Sequence, residues 1–322
     1  MLVIGGDDVH RVCAWPALVA ALHTAHLGPR PLIGRCTLEA DQDGVTQTYF
    51  NVPAFLPGIA MGTKLATILP DNVRRFAGIP AVQALYALFD GDDGSPSVII
   101  DGTALTYRKT AADSALGSRL LSREDARVLL LVGAGSLAPY LAHAHRAVRP
   151  SLTELLVWNR SEHRATRMAQ ALRADGIAAR SVTGLEQAAR AADIVSCCTA
   201  ATAPLLEGAW LKPGCHVDLV GGFTPTMREC DDATVLRARL FVDEASINID
   251  ACGDLIDPIR RGVIARGKVE ADLYDLCRAK QELDRRPEEI TLFKNGGGGH
   301  LDLFTALFVR DQMRPRADAA VA

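Results

Sequence analysis

No apolar run in this chain approaches the roughly eighteen residues a membrane-spanning helix needs, so no spanning segment is expected. The N-terminus lacks a basic stretch leading into an apolar one, and the sequence predicts no signal peptide. Neither sign of charge is in large surplus. A formal net charge of −3 implies no polyanionic partner, and nucleic-acid binding is not expected. The eight cysteines are Cys13, Cys36, Cys197, Cys198, Cys215, Cys230, Cys252 and Cys277. They form no CxxC pair and no Cys/His group at zinc-ligand spacing, so no metal site is predicted. Cys197 and Cys198 fall in an apolar strand pattern, where cysteine acts as a small hydrophobe. Reduced thiols and a cytoplasmic location are the simplest expectation. No repeat is found, and Gly296–Gly299 is the only low-complexity piece. What is present is a chain of 322 residues, nearly half of them hydrophobic, which favours two domains with a sizeable core.

The first third alternates in a β-rich manner. A helix is expected over 14–26, short β-like pieces from Pro31 to Val52, and a strand region from Gly58 to Leu69 that carries Lys64. Apolar runs at 97–100 and 104–107, separated by Asp101 and Gly102, predict a hairpin, because Asp-Gly between apolar runs is a strong turn signal. Residues 110–121 read as helix. From Val128 onward strands and helices alternate: strands at 128–132, 154–158, 180–182, 193–198, 215–220 and 239–242, with helices at 137–148, 161–175, 185–192 and 231–237. Further helices are expected at about 251–263 and 268–285, the last closed by Pro287. An apolar helix at 301–313 and a frayed tail at 315–322 complete the reading.

The stretch Val128 to Ala138, reading VLLLVGAGSLA, carries the most information. A buried strand runs into a glycine turn and then a helix, the opening of a Rossmann unit. Gly133 permits the tight turn. Gly135 lets a pyrophosphate approach the backbone, and Ser136 and Leu137 lead into a helix whose free N–H groups point at phosphate. Ala138 stands at the third glycine. The fold class expected is therefore α/β, a Rossmann dinucleotide-binding domain over 113–294 plus an α+β domain made of 1–112 and 295–322. The active site is expected in the cleft facing the carboxyl ends of the Rossmann strands. The second strand ends in Asn159-Arg160-Ser161, with no carboxylate to repel a 2′-phosphate. Arg160 can pair with a phosphate and stack on adenine, Ser161 adds a donor, and Arg164 lies one turn on. NADPH is expected in preference to NADH. Thr199, Ala200 and Val220 end the following strands, on the side expected to face the nicotinamide. Asp193 and Asp218 read as strand-end residues.

Several spaced motifs occur in order: Met61 to Asn72 (MGTKLATILPDN), Leu105 to Ala111 (LTYRKTA), the Gly133 turn, Val220-Gly221-Gly222, and Glu288 to Lys294 (EEITLFK). Together they resemble the ornithine cyclodeaminase/μ-crystallin family over nearly the whole chain. The resemblance implies a homodimer with a substrate-binding and dimerisation domain. It implies chemistry on an imine next to a carboxylate. Lys64 matches the family's active-site lysine, Arg108 the arginine that clamps the substrate carboxylate, and Arg35 a further carboxylate-binding arginine. Without the resemblance Lys64 and Arg108 would read as ordinary surface charges. Where cyclodeaminases and alanine dehydrogenases carry an aspartate after the Val-Gly-Gly turn, this chain has Phe223, which can neither take a proton nor hold an ammonium through a carboxylate.

The segment Asp218 to Glu229 instead resembles the Δ1-pyrroline-2-carboxylate and Δ1-piperideine-2-carboxylate reductases. The expected reaction is reduction of a small cyclic imino acid to L-proline or L-pipecolate, C2 of a protonated ring imine accepting a hydride from the cofactor. Lys64, Arg108 and Arg35 would bind the carboxylate and Phe223 would pack on the ring. If a proton donor is needed, His300 is the first candidate and Asp302 the second. The alternatives are a cyclodeaminase or amino-acid dehydrogenase of the same family, or a low-turnover NADPH-binding protein like μ-crystallin.

Overall fold

The computed structural model describes residues 1–280 and 283–314. The expected frayed tail at 315–322 lies outside the described residues. The chain folds into two compact units: Met1–Lys109 together with the segment from Gly299 onward, and Thr110–Gly298.

The first unit runs β1 (Leu2–Ile4), α1 (Gly6–Val12), α2 (Trp15–Leu27), β2 (Leu32–Ile33), β3 (Cys36–Gln42), β4 (Val45–Leu56), β5 (Ala60–Ile68), α3 (Asn72–Arg75), β6 (Val82–Asp90) and β7 (Pro96–Asp101), followed by the start of α4 (Gly102–Leu121). Its sheet has the order β1-β7-β6-β5-β4-β2, with β3 on β4, and all pairs except β1 with β7 are antiparallel. Strand β5 alternates between buried and part-buried positions, so Gly62, Lys64 and Ala66 share the covered face.

The second unit holds β8 (Val128–Val132), α5 (Ala138–Val148), β9 (Glu154–Trp158), α6 (Glu162–Ala174), β10 (Ala179–Ser181), α7 (Leu185–Ala191), β11 (Ile194–Cys197), β12 (His216–Leu219), α8 (Asp232–Arg237), β13 (Arg239–Val242), α9 (Ala245–Ala251), α10 (Gly253–Arg260), β14 (Val269–Asp272), α11 (Leu273–Arg278) and β15 (Thr291–Lys294). The last helix, α12 (Gly299–Met313), belongs to the first unit. The eight strands pair in parallel in the order β10-β9-β8-β11-β12-β15-β13-β14. The order reverses at β8, between β9 and β11, the switch point at which a doubly wound sheet receives a nucleotide. Parallel strands are covered on both faces, and this explains the near-continuous apolar runs LLLV in β8 and LLV in β9. Among the described residues no helix is long and apolar enough to cross a membrane.

Four expectations from the sequence are corrected. The hairpin at 97–107 does not form: β7 ends at Asp101 and α4 begins at Gly102. Oδ1 of Asp101 accepts the N–H groups of Thr103 and Ala104, each at 2.9 Å, so the Asp-Gly pair is a helix cap rather than a turn. Gly102 is required for a different reason, since a Cβ there would lie 2.8 Å from the backbone of Ala84 and Leu85. The helix expected at 268–285 is a strand over Val269–Asp272 and a short helix over Leu273–Arg278, started by a capping box between Asp272 and Asp275. Pro287 therefore closes nothing. The helix expected at about 251–263 is the shorter α10, Gly253–Arg260, and a helix not expected, α9, precedes it across Cys252. The short pieces expected between Pro31 and Val52 include one long strand, β4, of 12 residues.

Arg149 holds the end of α4. It is buried, and its guanidinium donates to Ser122 Oγ at 2.8 Å and to the carbonyls of Ser118, Arg119 and Ser122 at 3.2, 2.6 and 2.9 Å. All three lie in the last turn or just past the end of α4, and that of Ser118 also accepts the N–H and hydroxyl of Ser122 at 2.8 and 2.6 Å. Arg149→Ala is expected to cost about 2–3 kcal/mol of stability, the range for charged hydrogen bonds lost with their acceptors left buried. Urea unfolding checks this, and a loss below about 0.5 kcal/mol would mean that water takes over as donor.

Candidate active site

The first unit gathers a buried cluster of charge around β5. Lys64 pairs across the sheet with Val52 on β4 and Tyr86 on β6. Its Nζ donates to Oδ2 of Asp302 at 2.8 Å, and its side chain is only 9% exposed. The other oxygen of Asp302 lies 3.7 Å from Nζ of Lys109, which is also buried. Two ammonium groups thus face one carboxylate in a nearly dry setting, where charge acts strongly on an anionic ligand. Tyr86 is fully buried, and burial, then the charge of Asp302, pushes its phenol well above the usual range. Its ring and hydroxyl lie over Gly62, where a Cβ would overlap them, so the glycine two residues before Lys64 makes room for the phenol.

The other predicted residues of this unit are spread more widely. Arg108 and Lys109 are successive on α4, so their side chains leave the helix about 100° apart. Lys109 reaches Asp302, whereas Arg108 donates to Nδ1 and the carbonyl of His10 at 3.2 and 3.0 Å and to the carbonyl of Cys13 at 3.1 Å, lying over the ring of Trp15. Arg35 is exposed before β3, with its guanidinium over Phe50 and Nε 3.4 Å from Thr37 Oγ1. His300 begins α12 fully buried, edge-on to His26 and Phe304. Burial, then the neighbouring His26, Lys109 and Arg30, pushes its pKa well below the usual range, so it is neutral near pH 7. A neutral imidazole so placed is a poor reservoir for a proton.

In the second unit the glycine turn has the shape a dinucleotide needs. Gly133 takes φ +116°, and a Cβ on it would lie 2.8 Å from the carbonyl of Cys198. Its N–H donates to the carbonyl of Trp158 at 2.9 Å. A Cβ on Gly135 would meet nothing within 4 Å, so that side of the turn is open to a phosphate. Ser136 is exposed and Leu137 caps α5, whose first residue is Ala138. Asn159 joins the turn to the end of β9: its Oδ1 accepts from the N–H of Ala134 at 3.2 Å and its Nδ2 donates to the carbonyl of Ser161 at 3.1 Å. Arg160, Ser161 and Arg164 are exposed beside it. These residues fit a dinucleotide: the cramped glycine shapes the turn and the open one admits the ligand.

The strand ends beyond the turn are held by buried charge that sequence reasoning missed. Thr199 is part-buried, Ala200 exposed and Val220 buried. Glu229 accepts the N–H and hydroxyl of Thr199 at 2.6 and 2.8 Å and the N–H of Gly221 at 2.6 Å. Asp254 and Lys294 pack behind it, 3.2 Å apart. Phe223 is 47% exposed on the turn after β12. Asp218, expected to be a plain strand-end residue, lies inside β12, where it accepts from Ser196 at 2.6 Å and Ser114 at 2.8 Å and lies 3.1 Å from Nε2 of His145. The signal for Glu229 was its fixed place in the segment that carried the resemblance, but no periodicity distinguishes a buried acid from an exposed one.

A profile of the ornithine cyclodeaminase/mu-crystallin family matches residues 14–316. The chain belongs to this family. It is 42% identical over 306 residues, 94% of each chain, to a Delta(1)-pyrroline-2-carboxylate reductase of Paracoccus denitrificans. Its structure is similar to that of Thermococcus litoralis Delta(1)-pyrroline-2-carboxylate reductase in complex with NADH and L-proline, at 26% identity, with a TM-score of 0.89 and 97% of each chain covered. It is also similar to the iminosuccinate reductase of Paracoccus denitrificans in complex with NAD+, at 25% identity, with a TM-score of 0.87 and coverage of 97% of this chain and 96% of the other. Within an ornithine cyclodeaminase/mu-crystallin frame, the motifs around Lys64, Arg108, Gly133 and Gly221 are parts of one chain-long pattern. The Asp302 and Lys109 charges around Lys64, and the Glu229 group behind Gly221, are what the structure adds to it.

Proposed function

We propose that the protein is an oxidoreductase that reduces the C=N bond of a cyclic imino acid, Δ1-pyrroline-2-carboxylate or Δ1-piperideine-2-carboxylate, to L-proline or L-pipecolate. The observation that carries the reading is the buried Lys64–Asp302 pair with Lys109 beside it. The two ammonium groups suit a carboxylate, while Asp302 keeps them from repelling the cationic imine nitrogen next to it. Lys64 and Arg108 take the carboxylate, with Arg35 as a further contact. A bidentate guanidinium fixes the carboxylate in direction as well as in place. A ring imine with a protonated nitrogen is already electrophilic at C2, so no acid is needed at the position where relatives of other activity have aspartate and this chain has Phe223. His300, held neutral by burial, keeps its place as packing rather than as a donor.

The second unit holds the cofactor through Gly133, Gly135, Ser136, Leu137 and Asn159, with Thr199, Ala200 and Val220 toward the nicotinamide. A bound nicotinamide nucleotide supplies the hydride that C2 accepts. NADPH is the preferred donor in this reading, because β9 ends without a carboxylate and Arg160, Ser161 and Arg164 stand exposed at the 2′-phosphate position. Arg160→Ala is then expected to raise KM for NADPH about tenfold and leave that for NADH within about twofold, as for one surface-exposed phosphate contact. Equal effects on both would remove Arg160 from the 2′-phosphate site. The same reading makes the protein a homodimer, supported by the exposed apolar side chains Leu38, Tyr49, Val82 and Leu85 on β3, β4 and β6; light scattering of the purified chain tests it, and a monomer would overturn it.

The deciding experiment follows the fall in reduced-nicotinamide absorbance with each of the two imines. Turnover of either supports the reductase, and their ratio gives the ring preference. No turnover by a protein that binds the nucleotide would sink the reading, and ammonia release from ornithine would replace it with a cyclodeaminase.

A further inference from the structure

We propose that Glu229 is a positioning residue for the nicotinamide half of the nucleotide, acting as an anionic clamp on the turns that follow β11 and β12. This deepens the reading above and rests on it in one respect, that this unit binds a nicotinamide nucleotide.

One carboxylate ties two turns together. Oε1 accepts both the N–H and the hydroxyl of Thr199, after β11, and Oε2 accepts the N–H of Gly221, after β12. Lys294, at the end of β15, donates to the carbonyl of Gly221 at 3.3 Å, so both polar backbone groups of Gly221 are held by the cluster. Asp254, from α10, accepts the N–H of Glu229 at 2.7 Å and that of Cys230 at 3.3 Å with one oxygen, and its other oxygen faces Lys294. The end of the sheet is thus braced by three buried ionisable side chains from separate parts of the fold. The glycine pair is explained by the same packing. A Cβ on Gly221 would overlap the Thr199 carbonyl and the Glu229 carboxyl, and one on Gly222 would overlap Asp254. The Val-Gly-Gly motif is glycine because carboxylates pack directly against its backbone.

The clamp works only with the anion. Three donors converge on two oxygens, and a proton on either oxygen would face one of those donors. Burial pushes Glu229 up to about 7, with Lys294 opposing and Asp254 adding to the rise. Lys294 itself stays charged: burial disfavours this, but Asp254 and Glu229 outweigh it. The other ionisable groups facing Glu229 are the thiols of Cys197 and Cys198 on the β11 side, with Cys230 close behind, all pushed up by burial and therefore neutral. Lowering the pH through 7 protonates Glu229 and releases one of the turns, so the clamp is present above that pH and lost below it.

Glu229→Gln tests the clamp with little change of shape, since the amide NH2 must then face one of the converging N–H groups. Binding is measured for NADPH against 2′-phospho-ADP-ribose and for NADH against ADP-ribose, which lack only the nicotinamide. The variant is expected to bind the complete nucleotides about 10–100-fold more weakly and the truncated ones within about twofold, the scale of a misplacement at a distance from the chemistry. In the unchanged protein the affinity for the complete nucleotides should fall between about pH 8 and about pH 6 while that for the truncated ones stays flat, and Glu229→Gln should remove this difference. Equal weakening of both kinds of ligand, or no weakening, overturns the proposal. If the variant does not fold, the pH series on the unchanged protein decides alone: parallel behaviour of the two ligand kinds overturns the clamp. Failure of the unchanged protein to bind any nucleotide is a different result, and removes the nucleotide reading itself.

Discussion

Lys64→Met should lower kcat/KM for the cyclic imine by about 10²- to 10³-fold, the usual cost of removing one charged group aimed at a reacting ligand in a dry site. The loss should appear in both kcat and KM, because the ammonium both attracts the carboxylate and fixes its direction. A second effect accompanies it. Asp302 is fully buried, and without Lys64 its nearest cation is Lys109 at 3.7 Å. Breaking a buried ion pair from one side costs about 3–5 kcal/mol when the remaining charge is left alone, and Lys109 should hold the loss to the lower end of that range. The double change Lys64→Met with Asp302→Asn separates the two effects: it should recover only part of the stability, because Lys109 also loses the Asp302 carboxylate, and none of the activity. Urea unfolding with steady-state kinetics on the three variants reads both. Activity that returns with stability would mean that Lys64 serves only the fold of the first unit.

Gly133→Ala should reduce nucleotide affinity by about 10²-fold or more, with lower thermal stability. Two costs coincide there. A residue with a side chain at φ +116° is strained by about 1–3 kcal/mol, and its Cβ would press on the carbonyl of Cys198 at 2.8 Å. The carbonyl cannot easily retreat, since the N–H of Cys198 is bonded to the carbonyl of Val132 at 2.9 Å. The strain moves the turn proposed to receive the pyrophosphate, so both complete and truncated nucleotides should weaken together, unlike the pattern expected for Glu229→Gln. Gly135→Ala should leave stability unchanged, because nothing lies near its Cβ, and weaken only binding. Isothermal titration and thermal melts separate these cases, and full nucleotide affinity in Gly133→Ala would mean that the turn is not the phosphate site.

The Rossmann unit was legible because its strands are buried on both faces and announce themselves as short apolar runs between helical repeats. The run at 128–132 and the strand at 239–242 fall where the sequence put them. Local signals with two meanings misled. Asp101-Gly102 can turn a hairpin or cap a helix, and only the backbone of β6 against Gly102 decides which. Val269–Asp272 looked helical because a short strand added at the edge of a parallel sheet carries too few residues to show its period. The charge around the candidate site was the least legible part. Lys64 was recognised through a motif, yet its partner lies 238 residues away, and no local pattern connects them. Glu229, Asp254 and Lys294 read as ordinary polar residues until folding places them together.

The discontinuous first unit has a consequence for how the molecule is made. Its sheet is complete in sequence by Asp101, but α12, which packs on α2, β4 and β5, is made only after the whole second unit. The second unit is one uninterrupted segment and needs nothing from beyond Gly298 to form its sheet. Since compact units fold as their own segments emerge, the nucleotide-binding half can be finished while the earlier-made half still waits for its closing helix. Until that helix arrives, the β5 face is uncovered and Lys64 has no Asp302. Lys64 therefore acquires its electrostatic setting only after the second unit has been made, and a chain cut short before α12 carries the lysine without its buried carboxylate.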